Sequence, residues 1–272
     1  MAQITDELIE AYDRDGVVVV RKAVAQPWLD QLAEAIERDI ATPGPHFHGY
    51  QAPDGGRFHG NLRIWQNDAV FASFCLESNL PGIAQAFLRS GKLNLLYDQL
   101  FVKERQTSNR TRWHNDLPYW PIRGSQVLSI WVALDQTNLD SGALEFVRGS
   151  HKWDRWFQPE TFGITENIGA YERNPDYEDI PDIEAARGDY EIVSWDLDPG
   201  DVYVFHGMTV HGSPGNSSTE QRRRGYAVRF TGDDVVYDDR PGVSQPVRNS
   251  ELLSGNPLDS EQYPLVATSS HN

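Results

Sequence analysis

The sequence predicts an α+β fold in one domain, a β sandwich or barrel with helices packed against it. Three observations carry this. Up to about residue 92, apolar positions recur at helical spacing. From about residue 93 the texture changes to short β-rich runs separated by turn dipeptides such as Ser141-Gly142, Pro199-Gly200 and Pro214-Gly215. The 272 residues are 39% hydrophobic and 11% aromatic, enough for a sizeable core in one large domain.

The elements follow in order. "ITDELIEAYDRDG" places Ile4, Leu8, Ile9 and Tyr12 on one helical stripe, with Thr5 as N-cap and Gly16 as stop. "VVVVRKAV" reads as a buried strand. "QPWLDQLAEAIERDIA" is a second amphipathic helix carrying Trp28, Leu29, Leu32, Ile36 and Ile40. Residues 42–62 are rich in Gly, Pro and His and read as a loop. A helical stretch over 68–90 breaks near Pro81, closing the helical part, 1–92. The β-rich core spans 93–232 and includes "LNLLYDQLFVKE", "QVLSIWVALDQ", "ALEFVRGS", "DYEIVSWDL", "DVYVFHGMTVHG" and "RRGYAVRFTG". Residues 152–190 form a long connection of the kind that serves as a lid, and 241–272 a polar tail over the surface.

One cysteine, Cys75, permits no internal disulfide and fits a reducing compartment. With no leader pattern and no run of ~20 apolar residues, the expectation is a soluble cytoplasmic protein without a membrane partner. A net charge of −16 argues against nucleic acid as a partner.

The chemistry concentrates in "RWHNDLPYWP", residues 112–121. In an extended segment His114 and Asp116 point to one side, their Cα atoms ~7 Å apart, and can converge on one ion. Alone, His-x-Asp reads equally as a surface turn with an N-capping aspartate. A metal site of two histidines and a carboxylate needs a third ligand. His211, just before Gly212-Ser213-Pro214-Gly215, ends an element where a pocket can open, and is preferred over His206, which reads as a core or supporting residue. Asn115 alternates away from the ligands. In "RRRGYAVRF", Arg223, Gly225, Ala227 and Arg229 share one face, small in its middle, which leaves room for a bound molecule. Arg223 and Arg229 are ~20 Å apart along a strand, so only one is expected to serve a site near His211, and Arg223 is nearer in sequence.

Together these motifs resemble the phytanoyl-CoA dioxygenase family of Fe(II)- and 2-oxoglutarate-dependent oxygenases. "AYDRDGVVVVRKAV", "SIWVALDQTNLDSGALEFVRGSHK" and "GDVYVFHGMTVHGSPGNSS" extend the likeness over most of the chain. The resemblance implies a double-stranded β-helix (a cupin-like jelly roll) with the N-terminal helices on one sheet. It implies that His114, Asp116 and His211 bind iron, that Arg223 and Ser213 hold the distal carboxylate of 2-oxoglutarate, and that Trp131 lies in the same pocket. Gln99 is a further candidate there. The spacing from His211 to Arg223 is twelve, one more than many relatives show, so counting selects Arg222 and the strand match selects Arg223. In "VLSIWVAL", Leu128, Ile130, Val132 and Leu134 form an aliphatic face, and Ser129 and Trp131 a more polar one.

The chemistry explains the residue types. Two imidazoles and a carboxylate leave one face of the ion open for a 2-oxo acid and O2, and a buried guanidinium grips the far carboxylate with two charged hydrogen bonds. By the resemblance, the reaction releases succinate and CO2 and hydroxylates a substrate C–H bond. Related halogenases have Gly or Ala where Asp116 stands, so hydroxylation is expected.

For the substrate, Trp113, Tyr119, Trp120, Trp153 and Trp156 are candidate walls, with core packing the reading for at least half of them. Arg63 or His59, in "GGRFHGNLRIWQ", is placed at the pocket mouth, where Arg63 holds a carboxylate or phosphonate, or else makes a surface salt bridge. The acidity favours a small polar metabolite over a CoA thioester. Two rivals remain: a non-catalytic jelly-roll binding module, and a zinc-dependent hydrolase using the same His/Asp/His set.

Overall fold

The computed structural model describes residues 3–51, 56–161 and 171–268. Helix α1 (Asp6–Asp15) starts where the Thr5 hydroxyl accepts from the Leu8 N–H, and stops at Gly16, whose φ of 77° suits glycine. Then come β1 (Val17–Val20), α2 (Gln26–Ala41), β2 (His48–Gln51) and β3 (Arg57–Leu62). Helices α3 (Ala69–Glu77) and α4 (Leu80–Leu88) are split just before Pro81, which sits in the first turn of α4, where a missing N–H costs nothing. Strands β4 (Lys92–Lys103), β5 (Thr111–His114), β6 (Ile122–Arg123), β7 (Val127–Ala133) and β8 (Glu145–Val147) follow. The remainder are β9 (Ile192–Val193), β10 (Val202–His206), β11 (His211–Ser213), β12 (Arg223–Thr231), β13 (Val236–Tyr237) and β14 (Leu265–Thr268).

The result is a mixed α/β fold whose described strands all pair antiparallel. A large sheet runs β1-β10-β7-β12-β4-β3-β2, with β14 also on β4, and a smaller one runs β5-β11-β8-β9. One face of the large sheet carries Leu128, Ile130, Val132, Val204, Tyr226, Val228 and Phe230 against Leu32, Ile36, Phe71, Phe74 and Phe87 of the helices. Burying each such side chain contributes about 1.5–3 kcal/mol. The opposite face presents Trp131, Tyr203 and Ala227 to Phe146 of the smaller sheet and to Leu144 just before its strand. The alternation read in β7 and β12 therefore assigns both faces correctly. Among the described residues no helix is long and apolar enough to cross a membrane.

The structure differs from the sequence reading at four places. Residues 42–62 are not a plain loop. They hold the β2–β3 hairpin, which extends the sheet by pairing β3 with β4. The tail is not simply draped over the surface, because β14 adds a strand to β4. The room beside Gly225 is filled by protein: a Cβ there would lie 1.9 Å from the Trp131 ring, so glycine is needed to admit the indole. Finally, Asp116 is not extended. Strand β5 ends at His114, and Asp116 already has helical φ and ψ at the start of the Leu117–Tyr119 turn, where Pro118 cannot continue a ladder. Of the lid-like stretch 152–190, residues 162–170 lie outside the described residues, as do 269–272 of the tail.

Candidate active site

A cavity opens between the two sheets, and its wall holds the histidines and carboxylate singled out above. His114 ends β5, and His211 opens β11 directly opposite it in register. Asp116 swings back from its turn, so the Asp116 Oδ1 lies 3.3 Å from His114 Nε2 and 3.9 Å from His211 Nε2. Cis donors around an ion with bonds of ~2.1 Å sit ~3 Å apart, so three atoms within 4.8 Å of one another fit a single small cation. Each ring is fixed from behind by a carbonyl two residues earlier: His114 Nδ1 donates to the Arg112 carbonyl at 2.8 Å, and His211 Nδ1 to that of Thr209 at 3.0 Å. That bond sets the tautomer that presents Nε2 to the cluster. Ser129 donates to Asp116 Oδ2 at 3.2 Å, leaving Oδ1 turned toward the rings.

Burial pushes the Asp116 carboxyl up, but His211, His114 and Arg229 outweigh it and hold it well below the usual range. Burial, then His114, pushes the His211 ring down to about 4, so it is neutral near pH 7 with a free lone pair. His206 stands outside the cluster. Its Nε2 donates to the Ser125 carbonyl at 2.8 Å and its Nδ1 accepts from the Met208 N–H at 3.0 Å, so the ring is satisfied by the backbone.

Across the cavity lies a second cluster. Arg223, 2% exposed, faces the Trp131 ring at 5.4 Å, and its Nη2 reaches Ser213 Oγ at only 3.5 Å. Its Nε has no partner among the described residues. Burial pushes it down to about 10, which leaves it charged near pH 7. Arg222 instead sits at the surface against Glu37 and Glu104, so the strand match, not the count, finds the buried arginine. Lys103, 1% exposed, donates to Ser213 Oγ at 2.8 Å. Burial and neighbouring Arg223 push it well below its ordinary range. Two buried basic side chains, Arg223 charged and Lys103 a hydrogen-bond donor beside it, with no carboxylate in salt-bridge reach among the described residues, make a place for an anion.

Gln99, Tyr119, Trp120 and Trp131 line the cavity as expected. Tyr119 is tied to the long connection, its hydroxyl donating to the Glu160 carbonyl at 3.1 Å, and Trp120 Nε1 donates to Tyr97 Oη at 2.7 Å. Five candidates do not line it: Trp153 and Trp156 pack against other apolar clusters, the core-packing alternative weighed for the aromatics, and three more lie elsewhere. Trp113 turns to the outside, its Nε1 donating to Glu184 at 3.2 Å, because alternation along β5 opposes it to His114. His59 is 1% exposed and bound to Asp39 at 2.7 Å, under the sheet beside α2. Arg63 is held away by Gln66 at 2.8 Å and the Pro246 carbonyl at 2.9 Å. In their place stand His48, one strand over from His59, and Arg229, which lines the same cavity as Arg223 although only one of the two was expected to. Lys103 and Arg229 were both legible in principle. Lys103 is two alternations beyond Gln99 on β4, and Arg229 shares the β12 face of Arg223.

A mostly antiparallel fold whose two sheets enclose two imidazoles and one carboxylate, faced by buried cations, defines a non-haem iron, 2-oxoglutarate-dependent dioxygenase. Comparison with known proteins agrees. The family "Phytanoyl-CoA dioxygenase (PhyH)" matches residues 12–225. The probable phytanoyl-CoA dioxygenase of Caenorhabditis elegans is 22% identical over 265 residues, covering 89% of this chain and 80% of that protein. The ectoine dioxygenase of Stutzerimonas stutzeri strain A1501 is 25% identical over 281 residues, covering 95% and 87%. Among solved structures, the non-heme alpha ketoglutarate dependent carbocyclase SnoK from nogalamycin biosynthesis superposes with a TM-score of 0.77 at 22% identity, covering 97% of each chain. The chain belongs to the phytanoyl-CoA dioxygenase family.

The buried imidazoles give the first prediction. His48 and His211 are both pushed down to about 4, chiefly by burial, against ~6.5 in an unfolded chain. Between those values the unfolded chain binds protons that the folded one refuses, so stability falls as pH drops from about 6.5 to about 4. His206 adds to the trend, and Asp98, raised to about 6 by burial, opposes it. Melting curves of metal-free protein from pH 7.5 to 4.5 are expected to show a falling midpoint. A flat or rising midpoint would contradict the assignment.

Proposed function

We propose that this chain hydroxylates a C–H bond of a small-molecule metabolite, with His114, Asp116 and His211 holding Fe(II), and Arg223, Ser213, Lys103 and Trp131 holding 2-oxoglutarate. The observation that carries this is the pairing, across one cavity, of a three-donor cluster with buried basic side chains that have no described carboxylate in salt-bridge reach. Bound there, the iron with 2-oxoglutarate and O2 supplies an oxidative decarboxylation that gives succinate, CO2 and a hydroxylated substrate.

The protein's own part is placement. Arg112 and Thr209 carbonyls aim the two rings, and Ser129 steers Asp116. Arg223 supplies a guanidinium that grips a planar carboxylate by two N–H groups, with Ser213 beside it and the Trp131 face against it. Tyr119, Trp120, Phe205 and Tyr171 wall the space above the cluster and exclude water. Thr161 and Tyr171, from the 152–190 connection, also border it, which supports a covering role for that segment. The two-sheet arrangement supports a double-stranded β-helix making a single domain of residues 1–272. A polar metabolite fits the acidic chain better than a CoA thioester with its phosphates, and a free, buried Cys75 accords with a reducing cytoplasm.

Anaerobic titration with Fe(II) and then 2-oxoglutarate tests this. A visible charge-transfer absorption requiring both, followed in air by succinate release, is expected. A binding module or a zinc hydrolase would give neither. Absence of that absorption, or a band indifferent to 2-oxoglutarate, would overturn the reading.

A further inference from the structure

One cation in the cavity is not used by the proposed function. Arg229 lies on β12, 3% exposed, on the cavity face and well along the strand from Arg223. Its guanidinium packs over the Tyr97 ring at 4.5 Å and stands 5.9 Å from that of Trp120. One hydrogen bond holds it, from Nη2 to Gln99 Oε1 at 3.0 Å. Nε and Nη1 have no partner among the described residues. Gln99 is itself oriented, its Nε2 lying 3.4 Å from His48 Nε2, while His48 Nδ1 is occupied by the His46 carbonyl at 3.2 Å. The amide therefore presents its oxygen to Arg229, and the guanidinium is set in place with its remaining N–H groups unfilled.

No described carboxylate lies within salt-bridge distance of it. Asp116 is close enough to be lowered by Arg229, yet that carboxylate faces the two imidazoles. Asp98, the other acid that senses Arg229, is on the opposite face of the sheet, accepting from Tyr226 Oη at 2.6 Å and the Trp65 N–H at 3.1 Å. In the proposed function Asp116 and the two carboxylates of 2-oxoglutarate serve the ion, Arg223 and Lys103, and none of them is assigned to Arg229. Among the described residues Arg229 is left without a counter-charge. A buried, pre-positioned guanidinium with empty donors is arranged for an anion.

We propose that Arg229 is a specificity-determining residue that binds a carboxylate of the molecule to be oxidised, so the substrate is a small organic acid. This rests on the oxygenase reading above. It also assigns to β12 the anion-holding role that the sequence placed on Arg63. Arg229 and the three-donor cluster line the same cavity, so a carboxylate held by Arg229 places the rest of the molecule in the space shared with the cluster. Aromatic walls on Tyr97 and Trp120 suit an apolar body behind it.

The test uses protein loaded anaerobically with Fe(II) and 2-oxoglutarate, and matched probes: hexanoate against hexanamide, and phenylacetate against phenylacetamide. The readouts are the shift of the visible absorption on probe addition and probe-stimulated succinate release in air. The acids are expected to bind about 10- to 100-fold more tightly than the amides, the range of a charged hydrogen-bond pair. In Arg229→Gln that preference disappears while 2-oxoglutarate affinity stays within about threefold, and Arg229→Lys keeps part of it. Equal response to acid and amide, or none to either, in protein whose iron and 2-oxoglutarate absorption forms normally would overturn the inference alone. So would an Arg229→Gln variant that weakens 2-oxoglutarate as much as it weakens the acids. If the absorption never forms, the oxygenase reading falls, and this inference with it.

Discussion

Asp116→Ala is expected to abolish succinate release and to weaken Fe(II) binding by at least about a hundredfold, the scale already reached when only a ligand's supporting partner is lost. The cluster has three donors, and Asp116 alone carries a negative charge. Without it, two neutral imidazoles remain in a buried site that must still take a divalent ion out of water. Asp116→Asn separates charge from shape. It retains an oxygen for the Ser129 hydroxyl, which now donates to Oδ2 at 3.2 Å, yet it cannot neutralise the ion. Both variants are therefore expected to fail, and to melt near the parent when metal-free. Fe(II) titration and succinate release check this. Retained turnover in Asp116→Asn would show that the carboxylate is not a ligand.

Arg223→Gln is expected to raise the KM for 2-oxoglutarate by about 10- to 100-fold, with a smaller fall in kcat at saturation. A hydrogen bond to a charged partner is worth about 1.5–3 kcal/mol, and the variant removes the charge while keeping a donor. Arg222→Gln serves as the control. Arg222 pairs at the surface with Glu37 and Glu104, where solvent screens such contacts, so its KM is expected to remain near the parent value. Initial-rate measurements on both variants decide the matter. A rise in KM confined to Arg222→Gln would place the co-substrate at the strand end and leave Arg223 a structural residue.

The sequence made much of this legible where the signal is local. Thr5 and Gly16 bound α1 because a hydroxyl cap and a left-handed stop act on their own backbone neighbours. The faces of β7 and β12 followed from a period of two, which supported the placement of Trp131 and Arg223 that the family resemblance implied. His114, Asp116 and His211 could be grouped because few histidines compete for the role, although the turn that swings Asp116 back was not visible in an assumed extended strand.

Other features depended on partners far away in the chain. The β2–β3 hairpin is built from Gly- and His-rich sequence with little strand character, and it exists because the end of β4 offers it a ladder. Trp113 looked like a wall of the pocket until the register of β5 against β11 gave that side to His114. His59 and His48 are adjacent across the hairpin, and only the packing of α2, which brings Asp39 to His59, decides which ring faces the cavity.

What the sequence alone determined was which residue types stand together on each face, since alternation and capping are properties of neighbours in the chain. Only the tertiary structure decided which charges find a partner. Arg222 is neutralised by Glu37 from a helix, Arg63 is absorbed by a backbone carbonyl, and Arg223, Lys103 and Arg229 are buried where no described carboxylate reaches them. The reason is that desolvation and counter-charge are set by whatever the fold packs around a side chain, and the surroundings of a strand come from segments distant in sequence.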